Sequence, residues 1–320
     1  MTAPTLITGG AGFIGSQVAA ALLQQRRPVR ILDSLDPFYD VTIKRRNVES
    51  LRERFAEVEF HHGDIRDDRA CARACSGVGG VIHLAALAGV RPSIQDPVRY
   101  MDVNVTGTQR LLRHVASGVP FVFGSSSSIY GGNEKVPFSE SDPVDHPVSP
   151  YAASKKAGEV LCHTFHHLNK NPVTCLRFFT VYGPGQRPEM AIHMFTRLIA
   201  AGQPVPFFGD GSTRRDYTYV TDIVDGVVRA LDRARGYRIY NLGGAATTTL
   251  QELVTMLEQI LGKKANLDRR PDQPGDVPVT YADTTLAEKD LGYHARVPIR
   301  SGLQLFCDWY RAERTAGRVA

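Results

Sequence analysis

From Thr5 onward, short and nearly uninterrupted apolar runs alternate with longer stretches in which apolar residues recur every three or four positions. The short runs read as strands buried on both faces, and the 3.6-residue recurrence reads as helices with one buried side. The pattern predicts strands at 5–8, 29–32, 58–61, 81–84, 121–123 and 173–178, with helices at 13–25, 67–75, 98–116 and 151–168 between them. Such alternation predicts an α/β fold, a doubly wound parallel sheet with helices on both faces. Beyond 178 the pattern loosens into "VYGPGQRP", "FFGDGSTRRD" and "RRPDQPGDVP", with helices predicted at 190–201, 222–233, 250–261 and 301–311. We therefore expect a first domain of residues 1–178 plus roughly 216–242. A smaller C-terminal α/β lobe, 179–215 and 243–320, would close over the end of the sheet.

Composition adds bounds rather than chemistry. The 320 residues are 42% apolar and 22% charged, with a net charge of +5 and basic residues scattered in pairs and triplets. That is ordinary for a globular protein and speaks against a nucleic-acid partner. No apolar run approaches the ~18 residues of a membrane span, and the chain enters its first strand without a charged leader, so no membrane and a cytoplasmic location are expected. None of the five cysteines has metal-ligand spacing with a histidine nearby, so they are expected as buried free thiols and no metal is expected.

The first candidate chemistry lies in "LITGGAGFIGS", where Gly9, Gly12 and Gly15 follow a strand and open a helix. In G-x-x-G-x-x-G the first glycine permits a tight turn, the second lets a pyrophosphate approach, and the third lets helix and strand pack closely. The helix N-terminus then offers free N–H groups to the phosphates. Asp33 ends the second strand eighteen residues beyond Gly15, where a carboxylate would accept from adenosine ribose hydroxyls and repel a 2′-phosphate. Spacing and acid together predict a Rossmann-type domain that binds NAD rather than NADP.

Tyr151 and Lys155 form Y-x-x-x-K, which stacks them on one helical face. An ammonium beside the phenol is expected to lower its pKa, so that tyrosinate can take a hydroxyl proton while hydride leaves to nicotinamide. Ser125–Ser128, in "FGSSSSIYG", fall at the carboxyl end of the fifth strand, where α/β sheets bind ligands.

With "TGGAGFIGS", "GDIRD", "HLAALAGVRPS", "SSSSIYG", "YAASK", "LRFFTVYGPGQRP" and "GDGSTRRDYTYVTD" in this order, nearly the whole chain resembles the extended short-chain dehydrogenases/reductases that modify nucleotide sugars. The resemblance implies that Phe13 and Ile14 join the glycines around the cofactor, that Asp64 and Ile65 flank the adenine, and that Ala85 and Ala86 line the nicotinamide ribose side. It places Asn104 on a helix behind the cofactor and Ser125 and Phe178 beside the nicotinamide end. Ser126 becomes the active-site hydroxyl, Ser127 its neighbour at the sugar, and Lys155 a second ribose ligand. Arg215 would meet the substrate diphosphate, Phe208 the uracil and Asp276 a ribose, while Gln273 stands where many relatives carry arginine. A homodimer built on the 98–116 and 151–168 helices is implied as well.

Members of this group oxidise a sugar at C4 and then diverge. "RFFTVYGPGQRPEMA" is most similar to the UDP-glucuronate 4-epimerases, in which Thr180 and Arg187 would contact the C5 carboxylate, with Arg91 a second candidate cation. Dehydratases that act on UDP-N-acetylglucosamine share these motifs. The common 4,6-dehydratases carry Thr-Asp-Glu where this chain has Ser126, Ser127 and Ser128, so a dehydratase here would need another acid or base, with Glu189, Cys162 and His193 as candidates. The first expectation is thus an NAD-dependent UDP-hexose 4-epimerase of the glucuronate type, and the second a 5,6- or 4,6-dehydratase. A redox decarboxylase and a non-catalytic NAD-binding module stand further off.

Overall fold

The computed structural model describes residues 3–271 and 277–319. Seven parallel strands form one sheet: β1 (Thr5–Thr8), β2 (Val29–Asp33), β3 (Val58–His62), β4 (Gly80–His83), β5 (Phe121–Ser126), β6 (Val173–Phe178) and β7 (Tyr237–Leu242). Their order is β7-β6-β5-β4-β1-β2-β3. The order reverses between β1 and β4, and the crevice at such a reversal is where open α/β sheets hold ligands.

Strand alternation divides the core. Ile7, Ile31, Ile82, Val122, Leu176 and Tyr240 pack on one face with helices Phe13–Gln24 and Val220–Asp232. Leu6, Leu32, Val81, Phe121, Phe123 and Cys175 pack on the other. All five cysteines are free and buried. A third cluster, with Tyr182, Phe195, Phe207, Leu257 and Phe306, lies under helices Ala191–Ala201, Leu250–Leu261 and Ile299–Thr315. Three two-stranded pairings accompany it: Thr180–Tyr182 with Tyr217–Tyr219, Arg214–Arg215 with Thr248–Thr249, and Pro204–Phe208 with Asn266–Arg270.

The six predicted strands match within three residues, while the seventh, β7, was not predicted, and two helical features also differ. The helix expected at 98–116 is instead Pro97–Met101, a π-helical turn Asp102–Gly107, and Thr108–Leu112. The helix Val41–Arg54 was not expected at all; only Lys44, Val48 and Leu51 of it are buried, and a lysine in that row breaks the apolar periodicity. Among the described residues no helix is long and apolar enough to cross a membrane, and no cluster of three or more metal-ligating side chains occurs.

Candidate active site

A cleft runs along the carboxyl ends of the central strands. Its floor is the glycine loop between β1 and helix Phe13–Gln24, and the three glycines are there for three different reasons. Gly9 has φ +71° and lies so close to the β4 loop that a Cβ would stand 2.7 Å from the Ala85 nitrogen. At Gly15 a Cβ would meet the Gly9 carbonyl at 2.3 Å, so the helix could not seat on the loop. Gly12 is different: a Cβ there would come no closer than 3.2 Å to any protein atom, yet the residue forms part of the cleft wall. The Gly9 carbonyl would have to give way only slightly, so protein packing demands this glycine less than it demands Gly15, whereas a phosphate group lying on the helix N-terminus would leave no room for a Cβ.

At the β2 end, Asp33 is buried and accepts from the amides of Ala11 (3.0 Å) and Leu35 (2.8 Å). The carboxylate fastens the glycine loop, and each oxygen keeps a lone pair for a further donor. Asp64 is fixed by a fork from Arg66, with Nε at 3.1 Å and Nη2 at 2.8 Å. Among the wall residues that escaped the sequence reading are Asp36, Tyr39 and Lys44. The Lys44 ammonium is buried, donates to the Asp36 carbonyl at 2.7 Å and lies 4.6 Å over the Tyr39 ring. Burial lowers its pKa, while Asp33 and Asp36 act in the opposite sense. A lysine that sits in a core row carries no apolar signal, so spacing alone could not find it.

At the other end stand Ser125, Ser126, Ser127, Tyr151, Lys155, Phe178, Thr180 and Arg187. Ser149 caps the helix Pro150–Asn169 by accepting from Ala152 N at 3.1 Å, and Pro150 occupies its first turn, which fixes Tyr151 at the cleft. The Tyr151 amide donates to Ser93 Oγ at 3.1 Å, and its ring meets Tyr100 edge-on. Burial raises the phenol pKa; a hydrogen bond with Ser126 and the charge of Arg187 lower it. The Lys155 ammonium, one turn further along the helix, donates to the Gly124 carbonyl at 2.7 Å, and Ser126 and Arg187 favour the phenolate. Burial also brings Lys155 down to about 8.

The other predicted residues fall in several places. Gly9, Gly12, Phe13, Ile14, Gly15, Asp33, Asp64, Ile65, Ala85 and Ala86 share the cleft wall with the residues above. Asn104 lies behind it in the π-turn, where its amide pairs with both backbone groups of Leu87 (2.8 and 2.9 Å) and braces the loop after β4. The Ser125 hydroxyl is committed to Glu159 at 2.6 Å. Arg91 stacks on Phe208 at 4.8 Å, away from the wall, and Arg215 pairs across to Thr248 beside Tyr217. Gln273 and Asp276 lie outside the described residues. Two of the proposed acid–base candidates are elsewhere: Cys162 is in the core, and His193 is enclosed by Phe306, Trp309 and Tyr310 with Nδ1 2.6 Å from the Gln186 carbonyl. Glu189 pairs with Arg187 at 3.0 Å.

Residues 5–243 match the NAD dependent epimerase/dehydratase family. The chain belongs to that family. It is 41% identical over 338 residues to UDP-glucuronate 4-epimerase 3 of Arabidopsis thaliana, covering 98% of this chain and 78% of that one. The crystal structure of UDP-glucuronic acid 4-epimerase from Bacillus cereus, in complex with UDP-glucuronic acid and NAD, superposes with a TM-score of 0.90 at 34% identity, over 97% of this chain and 99% of that one. A dTDP-glucose 4,6-dehydratase from Streptomyces venezuelae with NAD bound also gives 0.90, at 32% identity and 98% coverage of both. Family membership and the Rossmann-type sheet thus meet the expectation drawn from the motifs, while both reaction types occur among the neighbours.

Proposed function

We propose that this chain is an NAD-dependent UDP-glucuronate 4-epimerase. The observation that carries the reading is the chemistry around Tyr151: a guanidinium, Arg187, shares the cleft wall with the phenol, and the serine turn beside it has no carboxylate. Among the described wall residues the only carboxylates are Asp33, Asp36 and Asp64, all from the β2–β3 side of the cleft. An elimination needs an acid and a base near C5 and C6; the described wall beside Ser126–Ser128 offers no carboxylate, and the candidate Glu189 is engaged by Arg187. Arginine, in contrast, is suited to a planar sugar carboxylate.

The glycine loop would hold the pyrophosphate of NAD, with Asp33 at the ribose and Asp64 and Ile65 at the adenine. When bound, NAD supplies the acceptor and donor of the C4 hydride. Tyr151 takes the proton of the C4 hydroxyl and gives it back, with Ser126 sharing the same oxygen. Lys155 reaches the nicotinamide ribose, and Thr180 and Arg187 hold the carboxylate. Phe208 and Arg215, with Gln273 and Asp276, would take the nucleotide half, with Arg91 a second candidate cation, consistent with a substrate lobe of 179–215 and 243–320 set on the 1–178 and 216–242 domain. Apolar side chains exposed on the helices flanking the site, Val98 at 77%, Val160 at 52% and Leu168 at 71%, support a homodimer. A cytoplasmic location, with no nucleic-acid or membrane partner, belongs to the same reading.

Incubation with NAD and UDP-glucuronate in heavy water tests it. Product of unchanged mass, inverted at C4 and free of carbon-bound deuterium, is the expected result. Loss of water from UDP-N-acetylglucosamine, with UDP-glucuronate untouched, would replace the epimerase by a dehydratase.

A further inference from the structure

Beneath the serine turn lies a charged pair that takes no part in the chemistry above. Ser125, Arg177 and Asn241 are register partners across β5, β6 and β7, so their side chains share the face that helix Pro150–Asn169 covers. Glu159, one helical turn after Lys155 and two after Tyr151, enters this row. Its Oε1 accepts from Ser125 Oγ at 2.6 Å and Arg177 Nε at 3.0 Å, and its Oε2 accepts from Arg177 Nη2 at 3.0 Å. Arg177 Nη1 donates to the Tyr130 hydroxyl at 2.9 Å, which donates in turn to Asn241 Oδ1 at 2.7 Å. Both ionic side chains are 2% exposed.

A buried ion pair recovers its lost hydration only when its geometry is good and its remaining donors and acceptors are met, and apolar side chains of similar volume often do as well for stability. Packing alone therefore does not explain the pair, but its location does. Ser126 lies between two residues that it fixes: Ser125, tied to Glu159, and Tyr130, the end of the turn Ser127–Tyr130, tied to Arg177. Glu159 also belongs to the helix that carries Tyr151.

We infer that the Glu159–Arg177 pair is a positioning element of the site, holding the Ser126 turn and the Tyr151 helix at the separation at which the two hydroxyls meet. The inference rests on the reading of Tyr151 and Ser126 as the proton-transfer pair. The groups that face the Tyr151 phenol are Ser126 from the end of β5, Arg187 from the segment after Thr180–Tyr182, and the Tyr100 ring from Pro97–Met101, with Lys155 on its own helix. Because the Ser126 hydrogen bond favours the phenolate, loosening the turn moves the Tyr151 titration upward.

The test compares Ser125→Ala and Glu159→Gln with the parent, each loaded with NAD. Ser125→Ala removes one strut and leaves the ion pair whole, so it decides the matter if Glu159→Gln fails to fold. The Tyr151 phenolate is followed by ultraviolet absorbance against pH, with Tyr151→Phe as the blank, and kcat and KM are measured on UDP-glucuronate. We expect a folded Ser125→Ala with a modestly lowered melting temperature, a phenolate titration shifted to higher pH, and kcat down about tenfold or more with KM within about twofold, since small misplacements of reacting groups are costly. Parental titration and kcat in Ser125→Ala would reduce the pair to core structure. Should the parent not turn over UDP-glucuronate, the proposed function fails while the titration still judges the positioning.

Discussion

Arg187 holds three neighbours at once: Glu189 by an ion pair, Met190 Sδ at 3.5 Å and the Phe38 ring at 5.6 Å. Glu189 offers it the kind of carboxylate that a uronate would bring. Two separable effects follow from replacing Arg187 by methionine. Loss of a charged hydrogen-bonding partner, worth about 1.5–3 kcal/mol, should raise KM for UDP-glucuronate about 10- to 100-fold. Turnover of UDP-glucose, which lacks the carboxylate, should show no such rise in KM. The second effect is on pH. Burial holds the Tyr151 phenol above its ordinary value and Arg187 pulls it back, so without the guanidinium the phenolate forms only at higher pH. The rising limb of kcat against pH should move upward, as initial rates across a buffer series will show. Equal KM changes for both sugars would remove Arg187 from carboxylate recognition.

At the scale of the element, the glycine loop makes a paired prediction. Gly15→Ala drives a methyl into the Gly9 carbonyl, and overpacking against backbone should cost about 1–3 kcal/mol of stability. Gly12→Ala brings its methyl only to 3.2 Å from the Gly9 carbonyl, so thermal melting of the apo protein should fall less than for Gly15→Ala, while NAD affinity by titration calorimetry should fall tenfold or more because the methyl occupies the place of the pyrophosphate. Parental NAD affinity in Gly12→Ala would mean that the loop is only a tight turn. This element was also the most legible part of the chain, because glycine spacing and a strand-ending acid are local signals. The π-turn at Asp102–Gly107 was not legible. Its irregularity accompanies the reach of Asn104 to Leu87, a contact seventeen residues away that periodicity does not encode. Lys44, Glu159 and Arg177 were missed for a related reason: charged residues read as solvent-facing until a partner elsewhere in the fold is known. Arg187 and Ser126 were found through the resemblance, but the effect of Arg187 on the Tyr151 phenol needed the folded geometry.

The whole molecule has a polar stitch at its centre. His83, at the end of β4, is 2.6 Å from Thr8 Oγ1 on β1 through Nδ1 and 2.8 Å from Thr108 Oγ1 through Nε2, and Thr8 Oγ1 also receives the Ala85 amide at the cleft. Burial, helped by the charge of Lys155, drops the His83 pKa from 6.5 to about 3. The unfolded chain therefore binds this proton first, and the stability that neutral His83 contributes is fully present above pH 6.5 and is lost as pH falls toward 3. Asp216 works in the opposite direction. Its carboxyl is buried and raised to about 6, so it favours the folded state as pH drops from about 6 to 3.8. The pH dependence of the parent is thus a composite, but Asp216 is common to parent and variant and cancels in their difference. His83→Gln keeps hydrogen-bonding capacity and has no proton to gain. Urea unfolding at a series of pH values should show parent stability falling relative to the variant below pH 6.5, with a limiting slope of about 1.4 kcal/mol per pH unit for one proton. Parallel curves would mean that His83 takes up its proton in the native sheet as readily as in the unfolded chain, and its burial between Thr8 and Thr108 would then not hold it neutral.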